Sequence, residues 1–200
     1  MRISKNKEER RQELIDAAER LFLENGYTGT SVNDIVRTTG VAQGTFYYHF
    51  KSKEDILEAI VHKTVQTLEV QLREIVEKTG IHPARQLQEL LAALFEFVLA
   101  HRSLITFVHL DSNALLHHRL MGTTARIIQR HLLTLVERGI KEGCFHVSNP
   151  EDAINFFLGG VTGVLHVPSL SEDPVQLQRF RATAEIALTR ILGQNEVFTP

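Results

Sequence analysis

Apolar residues along this 200-residue chain recur at three- and four-residue intervals, and no run alternates as a half-buried strand would. Leu14, Ile15, Ala18, Leu21 and Phe22 form the first such stripe and predict a helix from about Lys7 to Glu24. Asn6 with Glu9 three residues later can close its start, and Gly26 can end it. Ser31 with Asp34 opens a short helix reaching about Thr38. Gly40 then marks a tight turn, because glycine takes positive φ without steric cost. A second short helix is predicted from about Gln43 to His49, and a long one from about Lys53 to Lys78, with Ser52 and Asp55 at its cap.

Pro83 suits the first turn of the next helix, where a missing N–H costs nothing. Helices are expected at about 84–101, 103–113 and 121–142, the last stopped by Gly143. Asn149-Pro150-Glu151-Asp152 starts one at about 150–166, and Asp173-Pro174 opens a final helix that Gly193 closes. The pattern therefore predicts an all-α chain of about nine helices.

Composition adds little to this, and charge adds more. The apolar fraction of 43% and charged fraction of 23% are ordinary for a globular protein. One cysteine, Cys144, excludes an internal disulfide and suits a reducing cytoplasm. The N-terminal run MRISKNKEERRQ lacks the apolar stretch of a secretory signal. The apolar run Phe156 to Val167 is broken by three glycines and is too short to span a bilayer. A cytoplasmic protein with no membrane partner is expected. Its net charge of −2 does not announce a nucleic-acid binder. Residues 1–53, however, carry nine Lys/Arg against seven Asp/Glu. Arg2, Lys5, Lys7, Arg10 and Arg11 make a basic arm that suits phosphate, or is simply a solvated tail.

Two short helices around a glycine turn, Thr30 to Lys53, have helix-turn-helix spacing, in which the second helix enters the major groove of DNA. Val32, Ile35 and Val36 supply the inward face of the first, and Val41, Phe46 and Phe50 that of the second. Gln43, Gly44, Thr45, Tyr47, Tyr48 and His49 are left to face outward. Hydroxyls and the Lys53 ammonium suit phosphate oxygens, Gln43 suits a base edge, and an aromatic ring can meet a thymine methyl. Tyr47 could instead belong to the core.

The run GVAQGTFYYHFKSKEDILEAI, with NGYTGTSVNDIV before it, closely resembles the DNA-binding domain of the TetR family of bacterial transcriptional regulators. The resemblance covers roughly residues 10–60 and rests on coincident glycines, aromatics, His49 and Lys53. It implies that Gln43 and Tyr47 lie near bases, with Asn33 adding a contact from the preceding helix. Thr45, Tyr48, His49 and Lys53 would hold phosphates. One departure is Ala42, where the family often has Ser or Thr; an uncapped start costs on the order of 1 kcal/mol.

The implied organisation is a helix-turn-helix DNA-binding domain at 1–53, linked through the long helix to an effector-binding and dimerisation domain at 54–200. The expected partners are a palindromic double-stranded DNA operator, a small, largely apolar effector and a second copy of the chain. Gly159 and Gly163 would let backbones approach in the dimer, with Leu177, Phe180, Ala184 and Leu188 from the last helix. Packing of that last helix wholly within its own subunit is the alternative. Phe95, Leu99, Phe107 and Phe156, with His109, Asp111 and His131 as polar anchors, could line the effector pocket, or be ordinary core. No catalytic residues, metal ligands or cofactor are expected: the sequence has no HExxH, phosphate loop or nucleophile elbow. A helical enzyme or a metal-sensing regulator using the His/Asp-rich region is the other reading.

Overall fold

A computed structural model describes residues 6–102, 105, 114–165 and 173–193. Among them lie eight α-helices and no strand: α1 (Lys7–Asn25), α2 (Val32–Thr39), α3 (Gln43–His49), α4 (Lys53–Glu77), α5 (Pro83–Ala100), α6 (Ala114–Lys141), α7 (Pro150–Leu165) and α8 (Pro174–Ile191). Of the helix expected at 103–113, only Ile105 is among the described residues. The one expected from 121 starts earlier, at Ala114. Gly122 sits inside α6, with nothing within 4 Å of where a β-carbon would stand, and the helix runs through it despite a propensity cost of about 1 kcal/mol.

The chain divides into two compact units within α4, between Val65 and Gln66. The boundary falls beyond the start of α4 because Ile56, Leu57, Ile60 and Val61 are buried and Lys63 reaches Asp16 and Glu19 of α1, at 2.8 and 2.7 Å. In the first unit α1 packs on α2 and α2 on α3. Their shared core is Leu14, Ala18 and Phe22, Ile35 and Val36, and Phe46 and Phe50. Reciprocal caps start the first two helices, Asn6 with Glu9 and Ser31 with Asp34. Gly40 ends α2 at φ +66°, the left-handed region, so the chain can turn into α3.

In the second unit α6 packs on α5 and α7, and α8 packs on α5 and α7. The core joins Leu68 and Leu72 to Leu87, Leu90, Leu132, Leu135, Ile154 and Leu188. At its edge the α6–α7 turn folds Phe145 against Gly139, where any β-carbon would overlap the ring. The carbonyls that end α4 are covered from two helices. Gln86, fully buried, donates to Ile75 O at 2.5 Å and Lys78 O at 3.1 Å. Its own oxygen accepts from Arg138, whose guanidinium also donates to Val76 O at 3.2 Å. Helix ends leave four carbonyls without partners, and this network answers that need where water is excluded.

Leu177, Ala184 and Leu188 are buried in the chain's own core, and Phe180 sits edge-on to Phe95 with centroids 5.9 Å apart. Leu177, Ala184 and Leu188 therefore face inward, where a second copy would not reach them, while Phe180 is half-buried at the edge of the core. Phe156 is 79% exposed and lines no interior space. Gly159 and Gly163 are exposed on the same helix. Phe95 is buried, Leu99 packs against the core, and His131 is 7% exposed. Phe107, His109 and Asp111 lie outside the described residues. No described helix is long and apolar enough to cross a membrane. No three His, Cys, Asp or Glu side chains gather as a metal site among the described residues.

Candidate nucleic-acid interface

The reader is built from the inside outward. Phe46 and Phe50, 0% and 2% exposed, hold α3 against the core with their rings 5.7 Å apart. Once these are fixed, a helical period of 3.6 residues turns Gln43, Gly44, Tyr47 and Tyr48 to solvent. Tyr47 is 52% and Tyr48 68% exposed, so Tyr47 is not part of the core. Thr45 and His49 are half-buried, and Asn33 stands exposed on α2. Val32 and Val41, expected inside, are half-buried at the rim. Ala42 precedes α3 in extended conformation and makes no side-chain cap. Nothing lies within 4 Å of where a β-carbon on Gly44 would stand, so no internal contact requires glycine there. A glycine in a helix's first turn has a cost, and close approach from outside is one reason to bear it.

Cations from α1 complete the surface. Lys7 Nζ lies 5.2 Å from the centre of the Tyr48 ring, and the Arg11 guanidinium 5.1 Å from that of Phe50. The expected basic arm is thus in part fixed to α3; its members Arg2 and Lys5 lie outside the described residues. His49 lies between these groups, its ring 5.0 Å from Tyr48, and its enclosed Nδ1 has no hydrogen-bond partner. Burial first, then the Lys7 and Arg11 charges, hold His49 below the ordinary histidine pKa, which favours the neutral ring.

Lys53 does not face outward as expected. Its ammonium donates to the carbonyls of Tyr27 and Thr30, both at 2.8 Å, and lies 4.1 Å from the centre of the Tyr27 ring. The Tyr27 hydroxyl donates to Glu54 at 2.9 Å, and burial together with this carboxylate raises the tyrosine pKa. Thr30, 2% exposed, donates its hydroxyl to Leu21 O and Gly26 O at the end of α1. Sequence spacing gave no sign of this cluster, because its partners lie 23 and 26 residues apart. A threonine and a tyrosine in a loop look like solvated residues until the turn brings them together.

With this geometry in hand, comparison with known proteins is specific. Residues 14–60 match the family described as bacterial regulatory proteins, tetR family. The chain is 29% identical over 158 residues to the HTH-type transcriptional repressor KstR2 of Mycobacterium tuberculosis, covering 78% of each chain. It is 26% identical over 172 residues to the HTH-type transcriptional regulator SrpR of Pseudomonas putida, covering 83% of this chain and 78% of that one. The fold matches a TetR/AcrR-family transcriptional regulator from Thermobifida fusca with a TM-score of 0.72 at 24% identity, over 94% of this chain and 99% of that one. Residues 14–60 thus carry a TetR-family helix-turn-helix domain, and over most of its length the chain is similar to helix-turn-helix transcriptional regulators.

Proposed function

We propose that this chain is a TetR-family repressor that binds a palindromic DNA operator as a homodimer and leaves it when a small, largely apolar effector binds the second unit. The DNA reading rests on one observation: α3 presents Gln43, Gly44, Tyr47 and Tyr48 to solvent from a mount of buried Phe46 and Phe50. Polar and aromatic groups on a rigid support suit base edges and phosphates better than water. Gln43, Tyr47 and Asn33 take the base side; Thr45, Tyr48 and His49 take phosphates. Repression is the activity that KstR2 is named for. The cytoplasm, where the operator would be, is the corresponding location.

The homodimer is supported by what α7 leaves uncovered. Phe156, Gly159, Gly160 and Gly163 are exposed on it, and Val175 and Ile186 on α8, at 69% and 40%. Exposed apolar area of this kind marks association surfaces. A two-fold dimer presents two readers to half-sites about 34–36 Å apart.

For the effector, the second unit offers His131, buried with Nε2 unpartnered, on the helix that carries core residues Leu132 and Leu135. A buried unpaired nitrogen costs about 1–3 kcal/mol, which a ligand hydroxyl or carbonyl would recover. α4 belongs to both units, so a shift in its second half is a direct route to the reader. The ligand acts through its differential affinity for the two states, and operator weakens ligand by the factor that ligand weakens operator.

The test begins by selecting bound duplexes from a random pool with the full chain, then screening metabolites for a rise in melting temperature. A symmetric operator, and a stabilising compound that releases it, are expected. Selection of a lone half-site at full affinity, or equal compound affinity with and without saturating operator, counts against the reading.

A further inference from the structure

We infer that Lys53 is the buckle that fastens the α1–α2 loop to the start of α4, and that Lys51 is the cation at this corner that meets phosphate. The inference rests on the DNA reading and refines it. Lys53 already spends two of its three N–H groups on Tyr27 O and Thr30 O, both at 2.8 Å, and the Tyr27 ring covers it at 4.1 Å. A phosphate reaching that nitrogen would have to break a half-buried arrangement rather than complete one. Tyr27 is also gripped at its far end, where its hydroxyl meets Glu54. Adjacent residues at the start of α4 thus hold the backbone and the ring tip of one loop residue. Thr30, held by Lys53, directly precedes Ser31, whose hydroxyl and backbone cap α2 through Asp34. The buckle therefore sets where α2 begins relative to α4, and through α2 the seat of α3.

Lys51 has the opposite character. It follows α3 by two residues and is exposed. Its backbone N–H donates to Asp55 Oδ2 at 2.9 Å, which fixes the root of the side chain. The Asp55 N–H in turn is taken by Ser52 Oγ at 3.2 Å, so the start of α4 is already capped by its own side chains. A rooted, solvent-exposed lysine two residues beyond the end of α3 can neutralise a phosphate without giving up bonds of the kind that hold Lys53.

The two lysines separate in a salt titration of duplex DNA binding, run on the full chain with melting temperature measured alongside. Lys51→Ala is expected to flatten the slope of log affinity against log salt by about one unit at an unchanged melting temperature. Lys53→Met is expected to keep the wild-type slope, lower the melting temperature, and speed amide exchange at Ser31 to Asp34. An unchanged slope in Lys51→Ala overturns the inference, and this arm stands even if Lys53→Met does not fold. A slope one unit flatter in Lys53→Met, with melting and exchange as in wild type, overturns it as well. Absence of salt-dependent duplex binding by the unaltered chain would instead remove the DNA reading itself.

Discussion

Among the described residues, two helices expose aromatic rings, α3 and α7, and they do so in opposite surroundings. On α3, Tyr47 and Tyr48 stand beside Gln43, with Lys7 and Arg11 over the rings of Tyr48 and Phe50. On α7, Phe156 stands beside three exposed glycines, with no hydroxyl on its ring and Asn155 as its polar neighbour. The first surface offers donors, acceptors and positive charge; the second offers area and close approach. Exposure alone does not separate a nucleic-acid face from a protein face. The chemistry around the exposed ring does.

The contrast can be broken first from the inside. Leu188→Ala removes a fully buried side chain in the second unit and is expected to cost about 2–5 kcal/mol in a denaturant melt. A stable Leu188→Ala chain that failed only to dimerise would return α8's inward face to the interface. Phe156→Asp should do the reverse. Monomer stability should hold, while sedimentation shows loss of the dimer and palindrome affinity falls on the order of a hundredfold, as linkage between two half-sites is lost. Gln43→Ala comes next, at about 1–3 kcal/mol on the preferred operator, with a changed base preference in a selection experiment. Ala42→Ser supplies the missing cap and should stabilise the first unit by about 1 kcal/mol, read as a shifted melt.

The smallest expected effect is on pH. His49 and His131 are both held below the ordinary histidine value, in each case by burial first, then by cations beside them. The unfolded chain therefore takes up protons before the folded one as pH falls. Stability should be level above about pH 6.5 and decline below it. A melt series in which His131→Gln declines as steeply as the parent would show that His131 plays no part.

These regions also differ in how much of each was legible in the sequence. The reader is local. Ser31 to Asp34, the Gly40 turn, and the spacing of Phe46 and Phe50 each span a few residues, and all were visible in order. The orientation of α8 was not. That helix is apolar around much of its circumference, and the faces seen by α5 and α7 depend on packing among distant segments. Leu177 and Ile186 look alike in a sequence, yet one is buried and the other 40% exposed. The Lys53 buckle was hidden for the same reason, since its two carbonyl partners belong to a loop more than twenty residues earlier.

The placement of the tyrosines has a practical use. The chain holds no tryptophan and three tyrosines, at positions 27, 47 and 48, all within the first unit. Ultraviolet emission excited in the tyrosine band therefore originates wholly in the DNA-reading half, and the second unit is optically silent. Tyr27, bonded to Glu54, supplies a partly sheltered background, while Tyr47 and Tyr48 supply a solvent-facing signal. Quenching on addition of duplex reports engagement without a dye. A change in that emission when a compound is added in the absence of DNA would report, from an unlabelled protein, that an event in the silent half had been felt in the other.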